Sequence, residues 1–361
     1  MIYLDYQATT PLAPQARDAM LPWLDRFGNP HSPHRAGREA KAAVEVARAQ
    51  VAALLPPGGR VAFTSGATEA LNWAIKGTSG GIVTIATEHA AVLDTVAAVA
   101  RAGREVTVLP VGRDGLIDLD RAAAAIRPGT GLVAAMLVNN EIGVIQPIAA
   151  LAALARAAGA LCLCDAVQGY ARIPIPGGCD MIAISAHKIH GPKGVGALWV
   201  RDGVVPEPLL HGGGQEAPGR SGTLSPMLCA GFGAAAAVAG TRMAGDAAHA
   251  ARLSGRARSL LRGWQVNGAL DSRYPGNLNV RRDGLDVARL MSDLRDVAFS
   301  AGSACASGSG RPSHVLRAIG LSDAEARSSI RLGFGRYTTV EDIDSGVAQI
   351  VAAAERQREW A

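Results

Sequence analysis

The sequence predicts an α/β fold: a large domain with a mostly parallel, seven-stranded sheet between helices, plus a smaller α+β domain. Three observations carry this expectation. Seven short apolar runs, at 61–63, 82–86, 106–109, 132–138, 161–164, 181–184 and 195–200, are bounded by polar or glycine residues and read as buried strands. Helical stretches at 68–76, 90–102, 118–126 and 148–158 fall between most of them, the alternation expected of parallel strands joined by crossovers. After about residue 240 that alternation stops. An Ala-rich helix leads into 246–264, followed by a Gly/Asn turn, a strand near 278–281, a Gly/Ser loop at 300–311 and two closing helices. The expected division is 13–245 for the large domain, with 1–12 and 246–361 forming the small one that carries the loop.

Composition agrees with a folded chain of this size. Of the 361 residues 48% are hydrophobic and only 4% aromatic, so the core must be built from Ala, Val, Leu and Ile. Charge is modest at 19%, which disfavours disorder. The net charge of +5 is spread without a basic block or interleaved aromatics, so no direct nucleic-acid partner is expected. No apolar run reaches the roughly 18 residues that span a bilayer; the stretch at 151–167 is broken by Arg156 and Asp165. Met1 to Tyr6 has no basic, signal-like character. The five cysteines show no paired zinc spacing, so no metal site is expected, and a reduced, cytoplasmic protein is the expectation.

The chemistry concentrates at loops that follow strands. Lys188 lies in Ser185-Ala186-His187-Lys188, after a short apolar strand and before the turn Gly191-Pro192-Lys193-Gly194. An amine there is suited to forming a Schiff base with an aldehyde cofactor. Asp165 ends the run Leu161-Cys162-Leu163-Cys164, at the carboxyl edge where open α/β sheets bind ligands. It can cap the next helix, and it can also sit beside a pyridine nitrogen and keep it protonated, with Gln168 within reach of a ring oxygen. Thr64-Ser65-Gly66-Ala67-Thr68-Glu69 opens a helix and offers amides and hydroxyls to a phosphate, although such turns also serve as plain caps. His89 fits either a structural histidine or a ring stacked on a flat cofactor. Cys305 lies in a small, polar Gly/Ser/Ala loop, so its thiol is expected to be reachable. Cys162, Cys164, Cys179 and Cys229 have the surroundings of buried structural thiols.

Taken in order, the motifs Leu4-Asp5-Tyr6-Gln7-Ala8-Thr9-Thr10-Pro11, Gly28-Asn29-Pro30, Thr87-Glu88-His89, Val138-Asn139-Asn140-Glu141-Ile142-Gly143, Asp165-Ala166-Val167-Gln168, His187-Lys188, Arg220-Ser221-Gly222-Thr223-Leu224 and Gly302-Ser303-Ala304-Cys305 resemble the group I (NifS/IscS-like) cysteine desulfurases. These are fold-type I pyridoxal 5′-phosphate enzymes of the class V aminotransferase group, and the likeness runs through Ser329-Ile330-Arg331. The resemblance implies conversion of L-cysteine to L-alanine, with the sulfur held on Cys305 as a persulfide for iron–sulfur cluster assembly or other sulfur transfer. It implies that Lys188 carries the cofactor, that Asp165 pairs with its pyridine nitrogen and Gln168 with its ring oxygen, and that His89 stacks on the ring and assists proton transfer. Ala67, Thr68, Ser185 and His187 would hold the phosphate, and Thr223 would reach the phosphate of a neighbouring subunit in a homodimer. Asn140 and Arg331 would bind the substrate carboxylate, a task suited to the planar guanidinium fork. A sulfur-acceptor protein is the implied partner. Two positions depart from the usual pattern: Ala186 stands where a glycine is common, and Gln7 where a small residue is.

Rival readings are a selenocysteine lyase or other class V enzyme, a non-catalytic sulfur-transfer scaffold and a serine hydrolase. Gly77-Thr78-Ser79-Gly80-Gly81 matches G-x-S-x-G, and His211-Gly212-Gly213-Gly214 looks like an oxyanion loop. A nucleophile elbow needs a strand before the serine and a helix after it, and here the order is reversed.

Overall fold

The computed structural model describes residues 1–217, 219–302 and 312–359; Cys305 and the rest of 303–311 lie outside the described residues. In chain order, β1 (Ile2–Tyr3) precedes helices α1 (Pro14–Met20) and α2 (Arg35–Ala52). The alternating unit follows: β2 (Gly59–Thr64), α3 (Ala67–Lys76), β3 (Gly81–Ile85), α4 (Ala90–Arg101), β4 (Val106–Leu109), α5 (Leu119–Ala125), β5 (Thr130–Met136), α6 (Ile148–Ala157), β6 (Leu161–Asp165), β7 (Met181–Ser185) and β8 (Gly196–Arg201). Helix α7 (Pro226–Leu260) leads to β9 (Gln265–Val266), β10 (Asn277–Arg281), α8 (Val287–Asp293), β11 (Val297–Ala298) and β12 (Ser300–Ala301). The chain closes with α9 (His314–Ala318), α10 (Asp323–Arg327), β13 (Ser329–Gly333) and α11 (Val340–Glu359).

The seven strands β2 to β8 form one sheet in the order β2-β8-β7-β6-β5-β3-β4. Strand β8 runs antiparallel to both β2 and β7, and the remaining pairs are parallel. The inner strands are covered on both faces, which is why they read as continuous apolar runs without alternation. Side chains still alternate between faces. Cys162, Cys164, Ile182 and Ile184 enter the core under α1, α2, α5, α6 and α7, whereas Leu163, Met181 and Ala183 enter the core under α3 and α4. By the same parity Asp165 belongs to the α3 side.

A second core gathers Leu4 with Leu253 and Ala257 of α7, Leu278 and Val280 of β10, Ile330 and Leu332 of β13, and Ile343, Val347 and Ile350 of α11. It covers a four-stranded antiparallel sheet, β12-β13-β10-β9. Two sequence expectations are corrected here. The Ala-rich helix and the 246–264 stretch are one helix, α7, whose Cys229 to Ala239 portion serves the first core and whose Ala250 to Ala257 portion serves the second. Between the closing helices runs β13, which is buried on both faces and so shows no period of two. Helix α7 is also long and apolar enough, by length and composition alone, to cross a membrane. It packs along α1, α2 and α11, as a core helix does. The G-x-S-x-G match sits in the turn from α3 to β3, the wrong way round for a nucleophile elbow.

The sheet lies close against the start of α3 at Gly196, where an added Cβ would lie 2.6 Å from the Ile184 carbonyl oxygen and 2.7 Å from Gly66. Gly196→Ala is therefore expected to destabilise the fold by about 1–3 kcal/mol through overpacking. Gly245 lies exposed within α7 with open space at its Cβ position, and Gly245→Ala is expected to stabilise by about 0.5–1 kcal/mol. Urea midpoints read both, and equal midpoints for the two variants would contradict the packing described.

Candidate active site

The carboxyl ends of the parallel strands converge on one cavity of about 480 Å³. Met136 ends β5, Asp165 ends β6 and Ser185 ends β7. The first turn of α3 contributes Gly66, Ala67 and Thr68, and His89 enters just before α4. Asn140, Gln168, His187, Lys188 and Arg331 complete the set, so ten of the residues singled out from sequence line one space. First-turn amides of a helix have no intrahelical acceptor and favour an anion. At Gly66 an added Cβ would meet nothing within 4 Å, which leaves an open cradle beside those amides.

Asp165 is buried, its Oδ1 accepting a 3.0 Å hydrogen bond from the Val167 amide. Burial raises its pKa, while the Val167 amide, His89 and Lys188 pull the other way. His89 caps α4, with its Nδ1 accepting from the Ala91 amide at 3.0 Å. That bond puts the proton of the neutral ring on Nε2; burial lowers the pKa, while Asp165 pulls it the other way. Lys188 follows β7 on a single 3₁₀ turn. Its Nζ donates to the carbonyl oxygens of Gln7 at 2.7 Å and Ala8 at 2.8 Å.

The N-terminal segment straps this turn in place. Thr9 Oγ1 lies 3.1 Å from His187 Nδ1, and Thr10 Oγ1 donates to the His187 carbonyl at 2.8 Å. The His190 amide donates to Thr10 Oγ1 at 2.7 Å, and His190 Nδ1 lies 2.9 Å from the Pro11 carbonyl. The Ala-Thr-Thr-Pro motif thus explains itself as a clamp on the lysine turn.

Arg331 lies on β13 with its side chain 1% exposed, and it reaches the cavity from the second core. Its Nη2 donates to Asp5 Oδ1 at 2.7 Å and to Ser300 Oγ at 3.1 Å, and Nη1 donates to the Asn140 carbonyl at 3.0 Å. Arg331 Nε and Asn140 Oδ1 are buried and have no partner within the described residues. Buried polar atoms without partners are costly, and two of them border the same cavity, which is what a binding site for a polar ligand presents.

Thr223 is exposed and does not line this cavity. Cys162, Cys164, Cys179 and Cys229 are buried, as expected. Contact with the Cys179 sulfur and burial hold the Cys162 and Cys164 thiols well above their usual range, and burial pushes Cys229 up to about 12. Among the described residues no group of His, Cys, Asp and Glu is arranged to hold a metal ion. Sequence reasoning missed Gln7 and Lys193 as lining residues. Gln7 was visible only as a departure from a motif, because its contribution to Lys188 is a main-chain carbonyl.

Burial, reinforced by nearby cations, pushes His187 and His190 down to about 4. An unfolded histidine titrates near 6.5, so the folded chain binds fewer protons than the unfolded chain between these values. Their contribution to stability is complete above about pH 6.5 and is lost as the pH falls through about 4. His190→Asn, which suits the positive φ of 70° there, is expected to flatten the decline of the urea midpoint across this window; an unchanged slope would contradict the assignment.

Comparison with known proteins agrees with this geometry. The aminotransferase class-V family profile matches residues 2–345. The chain is 43% identical to the cysteine desulfurase IscS of Rickettsia akari over 376 residues, covering 99% of this chain and 92% of that protein. The structure of a NifS-like protein from Rickettsia africae superposes with a TM-score of 0.91 at 30% identity, covering 98% of this chain and 99% of that one. SspA, solved in complex with cysteine, superposes with a TM-score of 0.84 at 35% identity, covering 94% of this chain and all of that one (100%). With a lysine turn, a buried strand-end carboxylate and a helix N-terminus around one cavity, and with these likenesses over nearly its whole length, the chain belongs to the class V aminotransferase family of pyridoxal-phosphate-dependent enzymes.

Proposed function

We propose that this protein is a pyridoxal-phosphate-dependent cysteine desulfurase that converts L-cysteine to L-alanine and receives the sulfur on Cys305. The observation that carries the reading is the convergence on one cavity of Lys188, Asp165, and the Arg331 Nε and Asn140 Oδ1 that have no partner among the described residues. A relative solved with bound cysteine supports the substrate.

The residues present fit the cofactor. Lys188 would hold its aldehyde carbon, Asp165 its pyridine nitrogen and Gln168 its ring oxygen. The open cradle at Gly66, the amides of Ala67 and Thr68, and the side chains of Thr68, Ser185 and His187 would hold its phosphate. When bound, the cofactor supplies an electron sink for the substrate α-carbon. Asp165 would keep that sink effective by pairing with a protonated ring nitrogen, an attraction its burial would strengthen. His89 would lie against the ring and could offer a proton from Nε2. The carbonyls of Gln7 and Ala8 receive the Lys188 ammonium whenever its nitrogen is released. Arg331, already oriented by Asp5 and Ser300, presents Nε to the substrate carboxylate, with Asn140 beside it.

In the sulfur-transfer step the Cys305 thiolate attacks the substrate sulfur. An S–S bond forms and the C–S bond breaks. The electron pair stays with the carbon fragment, which takes up protons and leaves as L-alanine. The four other thiols are buried in the core and none of them lines this cavity. The two hydrophobic cores support a division of the chain near residue 245 into a large cofactor domain and a small one. Thr223, exposed and away from this cavity, would serve the phosphate of a partner subunit in a homodimer. A sulfur-acceptor protein and a cytoplasmic setting complete the proposal.

The test is spectroscopic and kinetic. Lys188→Ala is expected to lose both the visible absorbance of the bound cofactor and sulfide release. Asp165→Asn should keep the cofactor and lose more than about tenfold in rate, about 1.4 kcal/mol of barrier. Cys305→Ser should keep the absorbance and release almost no sulfide, since a hydroxyl is a far weaker nucleophile toward sulfur. Normal absorbance and rate in Lys188→Ala, or faster turnover of selenocysteine with none of cysteine, would overturn the reading.

A further inference from the structure

Arg172 sits four residues beyond Gln168, outside the 480 Å³ cavity, and lines a second cavity of about 30 Å³ that also includes Lys188. Among the described residues it makes no ion pair with a carboxylate. Its guanidinium instead binds neutral oxygens. Nη1 donates to Gln168 Oε1 at 2.6 Å, Nη2 donates to the Lys188 carbonyl at 2.6 Å, and the ring of Tyr274 lies 5.3 Å away. Gln168 Nε2 in turn donates to the Gln7 carbonyl at 2.9 Å, the same oxygen that accepts from Lys188 Nζ at 2.7 Å. The four residues Arg172, Gln168, Gln7 and Lys188 close a ring of hydrogen bonds.

The chemistry of that ring fixes one orientation. A guanidinium only donates, so it must meet the oxygen of the Gln168 amide. The nitrogen end keeps one hydrogen for Gln7 and has one left to offer the cavity that Gln168 lines. Among the described residues the only non-glycine residues with positive φ are Ala171, at 59°, and His190, at 70°. They flank Arg172 and the lysine turn in the same small cavity. Backbone strain of this kind persists where the surrounding structure holds it in place, and it clusters at functional sites.

We propose that Arg172 is a positioning residue that acts through Gln168, locking its amide as a hydrogen-bond donor toward the cofactor ring oxygen and so setting the protonation equilibrium of the linkage between Lys188 and the cofactor. The inference rests on the cofactor reading above. A donor on the ring oxygen stabilises its anionic form and lets that linkage lose its proton at lower pH. The other charged and titratable groups around Lys188 are Asp165 and His89 across the large cavity, His187 on its own turn, Lys193 and Arg331 on the cavity wall, and His190, Asp246, Arg336, Tyr6 and Tyr274 around the small one. The variants below leave all of these in place.

The full chain is saturated with pyridoxal phosphate, and the pH midpoint of its visible absorbance is measured together with cofactor content and melting temperature. Arg172→Lys keeps the charge and loses the fork that reaches two oxygens at once. It is expected to hold a full complement of cofactor and to raise the midpoint by about half a pH unit or more, about threefold in the equilibrium. Arg172→Met should raise it further; if that variant does not fold, Arg172→Lys alone decides. In a Gln168→Leu background, Arg172→Lys should add a shift of less than about 0.2 pH unit, because coupled residues are not additive. A wild-type midpoint in Arg172→Lys, or an undiminished shift in the Gln168→Leu background, overturns the proposal. Wild-type protein that develops no visible band with pyridoxal phosphate would instead overturn the cofactor reading.

Discussion

A carboxylate at the end of a buried parallel strand has lost most of its hydration, and its charged form must be stabilised by what surrounds it. Asp165 is in that position, with one amide hydrogen bond and the cationic end of Lys188 among its neighbours. The sheet order puts β6 between β5 and β7, so Asp165 pairs with Met136 on one side and with Ala183 on the other, and Ser185 lies two residues beyond at the same edge. The parity of β6 turns Asp165 toward α3, whose first turn offers amides to an anion. One buried carboxylate and one amide-lined cradle thereby line a single cavity. A flat ring that carries a basic nitrogen and a phosphate matches both.

The second core supplies what the sheet edge lacks. Asp5, on the N-terminal segment beyond Leu4, and Ser300, on β12, hold Arg331 on β13. A buried arginine deprived of its carboxylate partner costs about 3–5 kcal/mol, so this trio ties the N-terminal strap, the small sheet and the cavity wall to one another. The same strap carries the carbonyls of Gln7 and Ala8 to Lys188 and the hydroxyls of Thr9 and Thr10 to the lysine turn. A few N-terminal residues therefore govern both ends of the site, and helix α7, shared by the two cores, keeps them in register.

Much of this was legible in the sequence, for physical reasons that differ between residues. The seven strands showed because buried parallel strands are apolar runs with polar ends. Asp165 and Lys188 showed because each breaks such a run at its carboxyl end. Arg331 was named only by family resemblance, since its strand is short, buried on both faces and interrupted by the arginine itself. Helix α7 was read as two pieces because its first half packs small residues and its second half turns Arg252, Arg256 and Arg258 outward. The contribution of Gln7 to Lys188 and that of Arg172 escaped notice because they are a main-chain carbonyl and a contact to other side chains. Neither leaves a local pattern.

The central proposal is that the chemistry ends with sulfur on Cys305 while the four described cysteines stay shut in the core. Its most direct test is peptide mass mapping after exposure of the cofactor-loaded protein to L-cysteine without reductant. The account predicts that the peptide containing Cys305 becomes heavier by one sulfur atom and that peptides containing Cys162, Cys164, Cys179 and Cys229 do not. Added sulfur found mainly on those four, with the Cys305 peptide unmodified, would contradict it.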